Sequence, residues 1–194
     1  MAITTEQIKA LRDLTGVSIM QCKNALEEAG GDMDKAKIIL QKLSAKAALK
    51  KSDRELAAGT VATYIHAGGN IGAMVELSCE TDFVSKNEEF QTLAREIAMQ
   101  VAAMAPEYVK RDEVDEESVS KAREVFQKDV EDKPEEIKEK ILEGKLDSYF
   151  KEKVLVEQSY IKDDSKTIQK LLDEAVQKFG ERVDVARIAR FSVV

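Results

Sequence analysis

Met74-Val75-Glu76-Leu77-Ser78-Cys79-Glu80-Thr81-Asp82-Phe83-Val84-Ser85-Lys86-Asn87-Glu88 is the stretch that decides how this chain folds. Its first six residues alternate apolar and polar, the period of a half-buried strand. Ser85, followed three residues later by Glu88, predicts a helix start with a serine cap and a glutamate reaching back to it. Asp82 and Phe83 then fall in the short turn between strand and helix. Such turns lie at the surface, because a buried one strands backbone polar groups. Spacing alone leaves two readings of Phe83 open. The ring folds back onto the first helical turn, with Asp82 favouring the helix N-terminus through its dipole, or the ring is presented to a partner. The usual hydrophobic staple would pair Val84 with Glu89, so it does not operate here.

Outward from this stretch the period-2 pattern continues upstream. Thr60 to His66 and Ile71 to Cys79 read as strands joined by Ala67-Gly68-Gly69-Asn70, a hairpin turn signal. Downstream, Phe90, Leu93, Ala94, Ile97, Val101 and Met104 line one face of a long helix that Pro106 ends. Residues 115–130 and 135–151 form a charged helical hairpin around Lys133-Pro134. A helix near 166–179 and a last strand from Val183 to Val193 complete the pattern. The fold class is α+β, a three-stranded antiparallel sheet with helices flanking one face.

Before the sheet, the first fifty residues have the helical period. Thr4 with Gln7 is a capping-box start, and Ile8, Leu11 and Thr15 share a face. Ser18 with Gln21 opens a second helix whose stripe is Cys22, Ala25, Leu26 and Ala29, stopped by Gly30-Gly31. Asp32 caps a third, with Met33, Ala36, Ile39, Leu40, Leu43 and Ala47 inward. Three short helices with tight turns resemble a ubiquitin-associated domain. The expected organisation is this bundle at 1–51, a basic linker at 52–57, and an α+β domain at 58–194 carrying the hairpin at about 115–151.

The formal net charge is −7, which argues against nucleic acid as a direct partner, since phosphate binding needs clustered Lys and Arg. The charge is uneven. Residues 1–56 hold ten basic and eight acidic residues, whereas residues 107–136 hold six basic and twelve acidic ones. The acidic stretch reads as a solvated helical face. No apolar run approaches the roughly 20 residues that span a bilayer. Met1 to Glu6 lacks the basic and apolar regions of a signal peptide. Cys22 and Cys79 stand far apart and read as packed, reduced thiols. The expected setting is cytoplasmic: bacterial, or an organelle matrix after loss of a transit peptide.

Catalytic chemistry finds no constellation. The one histidine, His66, has no metal-ligand spacing around it, and there is no Gly-rich phosphate loop, no CxxC pair and no nucleophile with an evident base. The expectation is a binding protein with no catalytic residues, metal or cofactor. Met20 is the better lead. It lies about 160° from Cys22 around an ideal helix, opposite the buried stripe. Taken alone, it is an incidental exposed hydrophobic or a contact.

Glu76 to Phe90, with Cys79-Glu80-Thr81-Asp82-Phe83-Val84 at its centre, resembles the signature segment of the elongation factor Ts family. Leu11 to Gly16 with Met20 to Leu26, and Lys140 to Leu146, resemble two further segments of that family, in the same order along the chain. The resemblance implies a guanine-nucleotide exchange factor that binds elongation factor Tu in its GDP-bound and nucleotide-free states. It implies an exchange wedge at Thr81, Asp82, Phe83 and Val84 beside the partner's magnesium site. It also implies a grip on the partner's G domain through Arg12, Ile19, Met20 and Lys23, and a secondary contact at His66. Longer members carry two copies of the sheet subdomain and a C-terminal module, whereas this chain has room for one copy and looks like the short form. Contacts made by a second copy or a C-terminal module are not expected here, and a homodimer covering the sheet edges is expected instead.

Two other function classes compete. An adaptor would use the three-helix module to bind ubiquitin-like or nascent-chain partners, and an enzyme would need the constellation that is missing. The Asp82-Phe83 turn separates the exchange factor from the adaptor, since an adaptor has no use for an exposed wedge far from its helical module.

Overall fold

Three capped helices open the chain, in a computed structural model that describes residues 3–131 and 134–193. Helix α1 (Thr5–Thr15) starts where Thr4 accepts from the Gln7 amide and donates its own N–H to the Gln7 side chain, 3.2 and 3.0 Å. It stops at Gly16, whose φ of 68° lets its N–H return to Arg12 O at 2.7 Å. Helix α2 (Ile19–Glu28) is capped by Ser18, and α3 (Met33–Leu49) by Asp32, which accepts from two amides at 3.0 Å. Those backbone donors hold the Asp32 carboxyl below its ordinary range. Leu11, Val17, Cys22, Ala25, Leu26, Ala36 and Leu40 form one buried cluster between the helices.

The expected stripe of α3 needs one correction. Leu43 is exposed, and Ser44 is the residue turned inward. The Ser44 hydroxyl donates its one proton to Leu40 O at 2.9 Å and touches the side-chain amide of Gln177. A Gln177 amide turned with Nε2 toward Ser44 satisfies a buried NH2 that has no other partner among the described residues.

Strands β1 (Ala58–Ile65) and β2 (Ile71–Cys79) form the expected hairpin, and β5 (Val183–Ser192) completes a three-stranded antiparallel sheet in the order β1-β2-β5. His66 lies just past β1, where its N–H closes the turn on Ile71 O at 2.8 Å. Between β2 and β5 come α4 (Asp82–Ser85), α5 (Glu88–Met104), α6 (Glu116–Lys128), α7 (Glu135–Lys153), a short β3–β4 ribbon (Ser159–Tyr160 and Asp163–Thr167) and α8 (Ile168–Phe179). The ribbon replaces the start of the helix expected near 166. Asp163 accepts from the amide and hydroxyl of Ser165, and a segment so polar carries no period to betray a strand. Lys133 of the expected hairpin turn lies outside the described residues.

The described chain divides into two compact units. The first contains Met1–Val61, Glu76–Ala94 and Gln169–Val185. Its core, besides the three-helix cluster, includes Leu77, Cys79, Val84, Phe90, Ala94, Leu172, Val176, Val183 and Val185. Phe90 meets Phe179 edge to face with centroids 5.9 Å apart. At Gly59 a Cβ would lie 2.6 Å from Leu77 O, so only glycine lets β1 come this close to β2.

The second unit contains Ala62–Val75, Arg95–Ile168 and Ala186–Val194. Gln100 is fully buried and fully satisfied there. It donates to Gln158 Oε1 and Ser159 O, both 3.1 Å, and accepts from the Ile161 amide at 2.9 Å. Residues 107–109 run parallel to residues 153–156, where the chain leaves α7, and Arg111 joins Asp147 and Glu157. The α6–α7 pair encloses its own small core of Ala122, Val130, Leu142, Leu146 and Phe150.

Candidate partner-binding site

Asp82 and Phe83 do not lie in a free turn. They open α4, a single helical turn whose cap is Thr81, extended at φ −128°, ψ 158°. The expected capping box at Ser85 is overturned. Ser85 is buried and donates to Asp82 O at 3.1 Å, while Asn87 caps the next helix by accepting from the Glu89 amide at 2.9 Å. Thr81 wins because Val84 and Ser85 then both turn into the core, Val84 to 4 % exposure. Its hydroxyl accepts from the Val84 amide at 3.5 Å.

With Val84 held below, the other half of the turn faces outward. Phe83 is 82 % exposed, the most exposed large hydrophobic among the described residues, and Asp82 lies beside it in solvent. Lys86 Nζ sits 2.6 Å from Asp82 Oδ2, and this hydrogen bond and charge hold the Asp82 carboxyl below its ordinary range. An exposed pair of this spacing contributes little to stability.

Beneath the turn lies a cluster of charges drawn from distant segments. Glu181 takes the Thr81 hydroxyl at 2.6 Å and the Thr81 amide at 3.0 Å, one on each carboxylate oxygen. Glu80 accepts from Arg54 at 3.1 and 3.3 Å and from the Arg182 amide at 2.5 Å. Burial alone would raise the Glu80 carboxyl, but the donors from Arg182 and Arg54 outweigh it and the net shift is downward. Arg182 returns a guanidinium bond to Arg54 O at 2.6 Å, and Lys51 reaches Gly180 O at 2.6 Å. Cys79, free and fully buried, donates to Thr81 O at 3.2 Å; burial, helped by the Glu181 charge, pushes its thiol up to about 11.

The second candidate patch lies on α1 and α2, which pack against each other in the same unit. Ile19 and Met20 are 59 % and 64 % exposed, Arg12 and Lys23 are also in solvent, and Lys23 pairs loosely with Glu27 at 3.8 Å. Leu14 is equally exposed. Sequence reasoning passed over it because it lies near the buried Leu11 on the helical wheel. His66 belongs to the second unit, exposed, with Nδ1 3.2 Å from the Tyr64 hydroxyl. Among the described residues no group of three or more His, Cys, Asp or Glu is placed to hold a metal ion, and no helix is long and apolar enough to cross a membrane.

Comparison with known proteins gives the family. The family described as Elongation factor TS matches residues 20–194. The chain belongs to the elongation factor Ts family. It is 47 % identical over 193 residues to the elongation factor Ts of Thermotoga petrophila, covering 100 % of this chain and 97 % of that protein. It is also 47 % identical over 193 residues to that of Desulforamulus reducens, covering 98 % and 89 %. Against that of Thermotoga maritima the figures are 46 %, 100 % and 97 %. The resemblance read in Cys79 to Val84 therefore extends over the whole chain, which is a translation elongation factor.

Proposed function

We propose that this chain promotes GDP release from elongation factor Tu by pressing Phe83 and Asp82 against the partner's magnesium and phosphate site, so that GTP can bind. The observation that carries the reading is Phe83, 82 % exposed on a turn whose other side is locked into the core. A soluble fold gains nothing by leaving a large ring in water on a rigid support. The grip comes from the patch of Arg12, Ile19, Met20 and Lys23, and His66 adds a secondary contact. Thr81 and Val84 hold the turn rather than cover much of the partner.

The process makes and breaks no covalent bond. By linkage, the exchange factor weakens GDP by the same factor as GDP weakens the exchange factor. Each 1.4 kcal/mol of that coupling is about tenfold. One aromatic wedge supplies roughly 1.5–3 kcal/mol, one to two decades, and the remaining contacts supply the rest. Release of labelled GDP from purified elongation factor Tu, with and without this chain, tests the function. No acceleration at micromolar concentrations refutes it.

The chain acts in the cytoplasm or its organellar equivalent, without direct contact to nucleic acid, and as a homodimer. Support for the dimer comes from the second unit, where Ile65, Met74, Phe191 and Val193 are all exposed. Sedimentation showing only monomer at tens of micromolar removes the dimer.

A further inference from the structure

We infer that Glu181 is a positioning residue for exchange: its carboxylate latches the turn that carries Phe83. The inference rests on the wedge reading above. Glu181 sits in the α8–β5 turn, 100 residues from Thr81 along the chain, and offers one oxygen to the Thr81 hydroxyl at 2.6 Å and the other to the Thr81 amide at 3.0 Å. Both donors belong to the residue that caps α4. The amide is a backbone group that the single helical turn cannot satisfy itself, and the hydroxyl is thereby oriented to accept from Val84. A two-pronged carboxylate fixes rotation as well as distance. The direction in which Asp82 and Phe83 leave the turn is therefore set by Glu181.

The latch is itself held. Gly180, the preceding residue, takes Lys51 Nζ on its carbonyl, and the next residue, Arg182, gives its amide to Glu80 and its guanidinium to Arg54 O. Lys51 and Arg54 lie just past the end of α3, the last helix of the bundle that carries the Arg12 and Met20 patch. The α8–β5 turn thus ties the gripping module and the wedge together within one compact unit. A partner gripped by α1 and α2 meets Phe83 at a fixed place, and the ordering cost of the turn is met before binding.

The test is a double-mutant cycle in the full-length protein, read as GDP release from elongation factor Tu. Glu181→Ala lowers the release rate at saturating exchange factor by about threefold or more, with little change in the half-saturating concentration. Glu181→Gln, which keeps an acceptor for the amide and a polar partner for the hydroxyl, retains most of the rate. In a Phe83→Ala background, adding Glu181→Ala has a much smaller effect than in the wild type, because only Asp82 is left for it to position. Should Glu181→Ala fail to fold, Glu181→Asp enters the same cycle, its carboxylate withdrawn by one methylene. A Glu181 effect that multiplies undiminished onto Phe83→Ala overturns the latch. So does a wild-type rate for Glu181→Ala when Phe83→Ala is slow, with the wedge left standing. A wild-type rate for Phe83→Ala removes the wedge itself and the latch with it.

Discussion

Phe83→Ala separates a ring kept for a partner from a ring kept for the fold. Full burial of a phenylalanine side chain is worth roughly 1.5–3 kcal/mol. With 82 % of Phe83 exposed, about four-fifths of that, roughly 1.2–2.5 kcal/mol, is available only in the complex. Removing the ring should therefore slow catalysed GDP release by about eight- to seventyfold. The fifth already buried predicts a stability loss of only about 0.3–0.5 kcal/mol, a shift of about 1–2 °C in Tm. A core phenylalanine would instead cost roughly 3–5 kcal/mol. The assay is stopped-flow release of a fluorescent GDP from elongation factor Tu over a range of exchange-factor concentrations, paired with thermal melts of the free variant. Asp82→Ala belongs in the same series. It acts on the same step and should combine with Phe83→Ala by less than the product of the two, as neighbouring contacts do. Release at the wild-type rate, or a melt lowered as for a core residue, refutes the reasoning.

Met20→Asp puts a charge into the exposed patch of α2 and should weaken binding to elongation factor Tu by calorimetry without lowering the melting temperature, since the side chain is 64 % exposed. Unchanged affinity removes Met20 from the grip. Gly59→Ala forces a Cβ to within 2.6 Å of the Leu77 carbonyl, a backbone atom that cannot swing aside, and should cost about 1–3 kcal/mol in urea denaturation. The Cys79 thiol sets a pH dependence. Its folded value of about 11 lies above the ordinary 9, so its contribution is complete below pH 9 and is lost as the pH rises toward 11, where the unfolded chain has already released the proton. The urea midpoint should fall across that window, and Cys79→Ala should flatten the fall; equal slopes for the two proteins contradict the assignment.

Where one local rule acted unopposed, the sequence was legible. Thr4, Ser18 and Asp32 each cap the helix their spacing announced, and the alternation of Ile71 to Cys79 became a strand over the same residues. Where two local rules competed, position along the chain was not enough. Ser85 with Glu88 and Thr81 with Val84 are both plausible caps. The choice fell to Thr81 because it buries Val84 and Ser85 together, a tertiary gain that no window around either residue reveals. Ser44 turned inward over Leu43 for a similar reason, its partner Gln177 lying 133 residues away. The β3–β4 ribbon was missed for want of any apolar period.

The candidate site divides along the same line. The residues of the candidate wedge are contiguous, so Asp82 and Phe83 stood out once the segment around them was seen to resemble the family's signature. Its supports are not, and Glu181, Arg182 and Arg54 read as unremarkable surface charges until folding gathers them around Glu80 and Thr81. The physics requires this separation. A wedge must leave its apolar face in water, so only half of the turn, Val84 and Ser85, is left to turn into the core, and a four-residue helix is too short to hold itself. Buried Val84 supplies part of the rigidity from within the turn, and the paired bonds of Glu181 bring the rest from elsewhere in the chain. Ordering a single loose residue costs about 1–2 kcal/mol, comparable to the whole contribution of the ring. A wedge on a mobile turn would lose most of its effect before touching its partner, so on the proposed reading the distant supports are as much part of the site as Phe83.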